Sequence, residues 1–193
     1  MLHNIILEPT QSFNQENWSI QGDGITYSEK KIKDLNGMFE DDNAYNNLDP
    51  EFLVYKVQAH LPVKEGTLGG LYIGTTIIHP GKVGKEYFMT HGHFHANADR
   101  GEYYWGVQGK GMLILMDINR NTWAERMFPG SLHYISSNIG HRVANTDKSL
   151  LIFGACWMSD AGHDYEEIKQ NGFSSRLIEY NNKPYLINSK NQR

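Results

Sequence analysis

Three histidines and one glutamate are the residues with the clearest chemical meaning in this sequence. His93 and His95 are one residue apart, Glu102 follows seven residues later, and His141 belongs to a separate segment. On an extended chain alternate side chains share a face, so His93 and His95 point the same way. Three imidazoles and one carboxylate suit a divalent transition metal. The pattern predicts one metal site made by His93, His95, Glu102 and His141, and it favours a catalytic role.

The donor set also limits which metal fits. Four protein ligands leave open positions on an octahedral ion, which suits Fe(II), Mn(II), Ni(II) or Co(II). Zinc is an alternative if its coordination number expands, because tetrahedral zinc with four protein ligands has no vacancy for substrate. We expect one divalent transition metal per chain and favour Fe(II).

Composition excludes several classes of function. The chain has 193 residues, 39% of them hydrophobic, which is typical of one soluble domain. A net charge of −4 gives no basic footprint for nucleic acid or an anionic membrane. The first nine residues carry no basic stretch typical of a secretory signal, and the single cysteine, Cys156, has no internal partner for a disulfide. We therefore expect a cytoplasmic protein with neither nucleic acid nor membrane as a partner.

Short runs of β-branched and aromatic residues between turn residues dominate the chain and match the pattern of strands. The predicted strands cover 52–57, 71–78, 103–107, 112–116, 122–128, 132–135, 149–157, 176–180 and 185–187. Many short strands predict an all-β barrel or sandwich. One or two short helices are expected, over 28–35 and 164–172, and a loop over 41–47.

Two motifs in the sequence resemble those of the cupins, a family of small β-barrels. The matching residues are His93, His95, Glu102 and Gly109 in the first motif, and Gly130, His141 and Asn145 in the second. Ser136 and Asn138 stand where proline and glycine are commoner. The resemblance implies a jelly-roll-like double-stranded β-barrel over residues 51–193, with an N-terminal arm, residues 1–50, packed on it in a single domain.

The residues that flank these motifs resemble those of one branch of the cupins, the cupin-type glucose-6-phosphate isomerases. The matches lie in 80–84, 88–95, 102–104 and 160–165, and the gap between His95 and Glu102 is longer than in most cupins. This resemblance implies reversible isomerisation of D-glucose 6-phosphate to D-fructose 6-phosphate, in glycolysis and gluconeogenesis. It also implies a small sugar phosphate as the substrate.

Aldose–ketose isomerisation needs a polarised carbonyl and a group that moves a proton between C1 and C2. A divalent cation bound to both substrate oxygens supplies the Lewis acid and stabilises a cis-enediolate. We expect Glu102 to be the base, although metal coordination lowers a carboxylate's proton affinity. A metal-directed hydride shift is the mechanistic alternative. His163 is expected to assist ring opening or proton movement, unless it is a surface loop residue, and Tyr104 to orient the sugar or Glu102.

The resemblance assigns the phosphate to hydroxyls and backbone amides. Thr76, Thr90, Gly92 and Tyr165 are the expected substrate-binding residues, although Thr76 is also a residue that β propensity alone would favour. Trp157 stands where the family often carries tyrosine, and an indole offers an N–H but no hydroxyl. One phosphate contact of the family is therefore expected to differ here.

Two other functions use the same ligands: a metal-dependent cupin oxygenase or oxidase, and a non-catalytic sugar-phosphate binding protein. An assay on glucose 6-phosphate with and without chelator separates them. We further expect a homodimer, which is the default symmetry of small homo-oligomers. The remaining histidines are given no role: His3, His60, His79, His91 and His133. His91 is expected at the surface and Cys156 in the core.

Overall fold

The computed structural model describes residues 6–189. Strands hold 47% of the chain and helical segments 8%, which confirms the all-β prediction. The strands are β1 Gln11–Phe13, β2 Ile20–Gly22, β3 Ile25–Lys31, β4 Leu53–His60, β5 Leu71–Ile78, β6 Lys82–Val83, β7 Glu86–Tyr87, β8 Glu102–Gln108, β9 Gly111–Met116, β10 Thr122–Met127, β11 Leu132–Ile135, β12 Gly140–Asn145, β13 Leu151–Met158, β14 Ser175–Tyr180 and β15 Lys183–Asn188. The helices are α1 Asp42–Asn46 and α2 Glu166–Asn171, with a 3₁₀ turn at Ile32–Leu35.

Two antiparallel sheets form the barrel. The larger sheet has the order β11-β8-β13-β5-β4-β3, and the smaller has the order β10-β9-β12. Apolar side chains from both sheets, such as Phe153 from the larger and Leu113 and Val143 from the smaller, belong to one buried cluster. This arrangement is the double-stranded barrel that the cupin resemblance implies.

The smaller sheet is covered on its outer face as well. Every residue of β12 is buried, because a four-stranded sheet of order β15-β14-β7-β6 and the chain leading into it pack near its outer side. Arg142 of β12, for example, lies 4.0 Å above the ring of Phe173. A strand buried on both faces is a stiff support for the side chains that it turns into the barrel.

The N-terminal part of the chain differs from its sequence-based description. The helix expected over 28–35 is wrong: residues 28–31 belong to β3, and only Ile32–Leu35 forms a helical turn. Pairing of β3 with β4, from Ile25 opposite His60 onwards, outweighs the local helical pattern. The division into an arm and a barrel stays a prediction.

The loop expected over 41–47 is also wrong. Helix α1 forms there because the Asp41 side chain accepts a hydrogen bond from the Ala44 N–H at 2.9 Å, which caps the first turn. The second predicted helix is confirmed as α2, which ends before Gly172 at a positive φ of 61°. Within residues 6–189, neither helix has the length and hydropathy needed to span a bilayer.

Candidate metal centre

The segment from His93 to His95 is extended, but it is not a strand of a sheet. It is held by two isolated bridges, His93 with His141 and Phe94 with Asp164. The His93 N–H donates to the His141 carbonyl at 3.2 Å, and the His141 N–H donates to the His93 carbonyl at 3.0 Å. These single bridges place two ligand-bearing segments side by side.

The structure brings the four predicted ligands together. One donor atom from each of His93, His95, Glu102 and His141 lies within 4.8 Å of the others. Glu102 opens β8, and its Oε1 is 2.6 Å from His141 Nε2 and 3.3 Å from His95 Nε2. Glu102 is 5% exposed and His141 is 1% exposed. Little water reaches either group.

The donor atoms themselves test whether a metal fits. Glu102 Oε1 and His141 Nε2 are buried and have no hydrogen-bond partner among the described residues, despite their short separation. Leaving such groups unpaired costs about 1–3 kcal/mol each. A cation between them would satisfy both atoms. The three imidazoles and one carboxylate therefore fit a divalent transition metal.

Backbone carbonyls orient two of the imidazoles. His95 Nδ1 lies 2.8 Å from the Arg100 carbonyl, and His141 Nδ1 lies 3.1 Å from the Ile139 carbonyl. A carbonyl accepts only, so each Nδ1 carries the proton and each Nε2 presents its lone pair to the centre. These two contacts fix the tautomer that a metal requires.

The pKa shifts of His93 and Glu102 favour metal binding, because both groups stay in the form that binds a cation. Burial, followed by the nearby His141 and His163, lowers the pKa of His93 well below its usual range and keeps the imidazole neutral. Burial alone would raise the pKa of Glu102, but the charge and hydrogen-bonding capacity of His141 and His95 outweigh it and lower that pKa. The pKa of His95 moves the other way: burial lowers it, but Glu102 outweighs burial and raises it.

The metal cluster lies at a cavity of about 530 Å³ inside the barrel. The cavity is lined by every remaining residue predicted from the sequence: Thr76, Thr90, Gly92, Tyr104, His163 and Tyr165. Tyr104 is buried beside Glu102, and burial, reinforced by that carboxylate, raises its pKa well above the usual range. Its phenol therefore stays protonated and can donate a hydrogen bond.

The residues next to the ligands have defined geometries. The Thr90 hydroxyl accepts a hydrogen bond from the Val143 N–H at 3.0 Å, which leaves its own O–H free to donate. Gly92 has a φ of 82°, and a Cβ there would lie 3.0 Å from both Arg142 Cβ and Phe173 Cε2. Only glycine fits this position without a shift of its neighbours.

Two rings from the segment before α2 close over the ligands. The His163 ring centroid is 4.4 Å from that of His93, and the Tyr165 ring is stacked on His163 at 5.7 Å and 5°. His163 is an exposed loop residue, as the alternative expected, but its ring packs against a ligand and lines the cavity, and its role in the reaction stays a prediction. Burial lowers its pKa, which favours the neutral imidazole.

Sequence reasoning missed several cavity residues. His91, expected at the surface, instead lines the cavity with its ring edge-on to Tyr165 at 5.4 Å. Its place two residues before His93 is the signal that could have found it. Trp157 also lines the cavity, opposite Glu102 in the β8–β13 ladder. Cys156 is half-buried, not in the core, because it faces away from the cavity on the same strand. His3 lies outside the described residues.

The chain is similar to several known proteins. Oxalate decarboxylase from Bacillus subtilis is a similar solved structure, 18% identical with a TM-score of 0.44, covering 56% of this chain and 26% of that chain. A protein of Thermococcus onnurineus (strain NA1) named glucose-6-phosphate isomerase is 44% identical over 153 residues, covering 78% of this chain and 79% of its own length.

A second relative, from Pyrococcus furiosus and with the same name, is 37% identical over 171 residues, covering 86% of this chain and 88% of its own length. The family model for glucose-6-phosphate isomerase (GPI) matches residues 29–192. The chain therefore belongs to the glucose-6-phosphate isomerase (GPI) family.

Proposed function

We propose that this chain catalyses the reversible isomerisation of D-glucose 6-phosphate to D-fructose 6-phosphate. The observation that carries the proposal is the convergence of His93, His95, Glu102 and His141 within 4.8 Å at a cavity lined by hydroxyl groups. Relatives named glucose-6-phosphate isomerase cover most of the chain, and the sugar phosphate is their stated substrate class. The reaction belongs to glycolysis and gluconeogenesis.

The four ligands define what we call the metal end of the cavity. A divalent cation held there would act as a Lewis acid and polarise the substrate carbonyl, which is at C1 in the aldose and at C2 in the ketose. We propose Fe(II) as the native ion. The donor set supports Fe(II), Mn(II), Ni(II), Co(II) and zinc with expanded coordination, and metal analysis of the purified protein decides among them.

Glu102 is the proposed base for proton transfer between C1 and C2. Its lowered pKa keeps it in the ionised form that a base requires but weakens its affinity for a proton, and Tyr104 can donate a hydrogen bond beside it. His163 packs against His93, and its lowered pKa favours the neutral imidazole, so it is the group proposed to assist opening of the sugar ring. Proton transfer through Glu102 predicts exchange with solvent, so product formed in D₂O carries deuterium at C1 or C2.

Thr76, Thr90, Gly92 and Tyr165 are the proposed substrate-binding groups. Thr76, Thr90 and Gly92 define what we call the phosphate end of the cavity. The free Thr90 O–H can donate to phosphate oxygens, and the Thr90–Gly92 backbone lines the same cavity. Tyr165 is 43% exposed and lies at the mouth, where its hydroxyl can meet an entering anion.

One coupled assay tests the proposal. Purified protein is assayed on glucose 6-phosphate before chelation, after chelation, and after addition of Fe(II) or Mn(II). We expect activity to disappear with the chelator and to return with the metal. Activity that survives complete metal removal would contradict the metal-dependent mechanism. Oxygen consumption without isomerisation would favour an oxygenase, and binding of the sugar phosphate without turnover would favour a binding protein.

We also propose a homodimer in the cytoplasm. Exposed apolar side chains on the outer face of the larger sheet support the dimer. Tyr103 of β8 and Tyr134 of β11 are directly opposite each other with ring centroids 5.1 Å apart, and Leu132 lies beside them. Light scattering at micromolar concentration should give twice the chain mass of 22.1 kDa. A monomeric mass would contradict the proposal.

A further inference from the structure

Charges are distributed unevenly around the cavity. Among the described residues that line it, Lys30 is the one lysine or arginine, and the carboxylates are Glu65 and Glu102. Glu102 belongs to the metal end. Glu65 also lies there, because its Oε1 is close to Gly162, the neighbour of His163. Both carboxylates thus lie near the metal ligands, and Lys30 is the one lysine or arginine among the described lining residues.

Strand register places Lys30 on the same face of the larger sheet as Thr76, a residue of the phosphate end. Lys30 of β3 is directly opposite Tyr55 of β4. Two residues earlier, Ser28 is opposite Val57, and Val57 is in turn opposite Thr76 of β5. Directly opposed residues point to the same side of a sheet, and successive residues of that face are two apart. Lys30 and Thr76 thus face the same interior.

Tyr55 links the sheet face that carries Lys30 and Thr76 to the Thr90–Gly92 segment of the phosphate end. Its hydroxyl accepts a hydrogen bond from the His91 N–H at 3.4 Å, and His91 lies between Thr90 and Gly92. Opposed residues have Cβ atoms about 4.5–5.5 Å apart, and lysine and tyrosine side chains have similar lengths. The ammonium of Lys30 can therefore reach the depth of the Tyr55 hydroxyl, beside the Thr90–Gly92 segment.

Lys30 differs from the lysines next to it in having no anionic partner. Lys31 and Lys33 both pair with Glu51, at 2.7 and 2.5 Å. Within residues 6–189, no carboxylate lies within 4.0 Å of the Lys30 ammonium. A phosphate monoester carries about −1.5 to −2 charges near neutral pH. The substrate would supply the missing anion.

We propose that Lys30 binds the phosphate group of the substrate and fixes the direction in which the sugar phosphate lies. The phosphate is attracted to Lys30 and repelled by Glu65 and Glu102, so the C1–C2 end meets the metal ligands. Phosphate binding is then a joint task of Lys30, Thr76, Thr90 and Gly92. The assignment rests on the proposed isomerase function and adds the one cationic contact that the hydroxyls lack.

Steady-state kinetics of Lys30→Met tests this assignment. A hydrogen bond to a charged group corresponds to a roughly tenfold or larger change in affinity. We expect the KM for glucose 6-phosphate and the inhibition constant of inorganic phosphate both to rise about tenfold or more, with kcat changed less than about twofold. Lys30→Arg should recover most of the binding, because it restores the charge.

Lys31→Met is the matched control. It removes the same charge from the adjacent residue of the same strand, but Lys31 does not line the cavity. Its KM and its inhibition by phosphate should stay at wild-type values. A thermal melt of each variant checks that folding is retained.

The two proposals fail in different ways. If wild type isomerises glucose 6-phosphate and Lys30→Met has the KM and phosphate inhibition of Lys31→Met, the Lys30 assignment is overturned and the isomerase stands. If wild type has no isomerase activity, the proposed function fails. Calorimetric titration with inorganic phosphate then still tests Lys30: weaker binding by Lys30→Met supports the anion site, and equal binding overturns it.

Discussion

The metal end and the phosphate end of the cavity are built from different kinds of group. At the metal end, four titratable side chains are held by backbone bridges and by carbonyls on the far side of the imidazoles. At the proposed phosphate end, the half-buried Lys30 comes from β3, Thr76 from β5, and Thr90 and Gly92 from the segment before His93. In our proposal, the chemical step uses the first group of residues, and recognition of the phosphate is spread over the second.

Removing a metal ligand should reduce isomerase activity more than any other change. His141→Ala deletes a buried imidazole whose Nε2 has no hydrogen-bond partner within residues 6–189. Loss of metal assistance removes several kcal/mol of transition-state stabilisation, so we expect kcat/KM to fall roughly 10³-fold or more. Metal content, measured by elemental analysis after gel filtration, should fall with it.

His133→Ala is the matched control for that variant. His133 is also buried, but its ring nitrogens contact Glu125 at 2.7 Å and Ser131 at 2.9 Å, and it does not line the cavity. Its loss should lower thermal stability and leave metal content unchanged. Equal loss of metal from both variants would contradict the assignment of His141 as a ligand.

Glu102→Gln should separate the two roles of the carboxylate. The amide keeps the size of the side chain and an oxygen donor, but it cannot act as a base. General-base catalysis typically contributes about 10²–10⁴-fold, so we expect kcat to fall by that order while part of the metal is retained. Deuterium incorporation from D₂O into residual product should fall in parallel. Wild-type kcat in this variant would remove Glu102 from the proposed mechanism.

Gly92→Ala should disturb the phosphate end through the backbone. A φ of 82° and a Cβ only 3.0 Å from Arg142 and Phe173 make alanine strained there, at a cost of about 1–3 kcal/mol. We expect a lower melting temperature and a raised KM for glucose 6-phosphate. Gly130→Ala is the control, because its φ of 88° is also positive but nothing lies within 4 Å of the added Cβ. It should keep the wild-type KM.

Thr90→Val should have the smallest effect, because one hydroxyl among several contacts is lost. That hydroxyl accepts the Val143 N–H, so its removal also leaves a backbone donor unpaired. A net hydrogen bond is worth about 0.5–1.5 kcal/mol, which predicts a rise in KM of roughly 2- to 12-fold with little change in kcat. Thr90→Ser keeps the hydroxyl and should restore KM. A loss of kcat larger than the change in KM would place Thr90 in the chemical step.

This contrast also explains what the sequence could and could not predict. Histidines and a glutamate seldom occur together at this spacing, so His93, His95, Glu102 and His141 could be identified from the sequence. Most strands could be predicted as well, since alternation and turn residues are local signals. The choice of a barrel over a sandwich depended on the resemblance of the motifs to a known family.

Register and long-range pairing could not be read in the same way. Lys30 lies in a stretch with a helical pattern, and its place in the cavity depends on pairing of β3 with β4, more than 20 residues apart in sequence. His91 differs from a surface histidine only through its packing against Tyr165. The capped helix α1 depends on one hydrogen bond from the Asp41 side chain. Such contacts form only in the folded chain, and few local features of the sequence predict them.

The most direct test is anomalous diffraction from a crystal of the protein loaded with Mn(II). We expect one strong anomalous peak per chain, with nitrogen atoms of His93, His95 and His141 and an oxygen of Glu102 all within coordination distance of it. A peak bound by other residues, or no peak between these four side chains at saturating Mn(II), would contradict the metal centre on which the proposed isomerase depends.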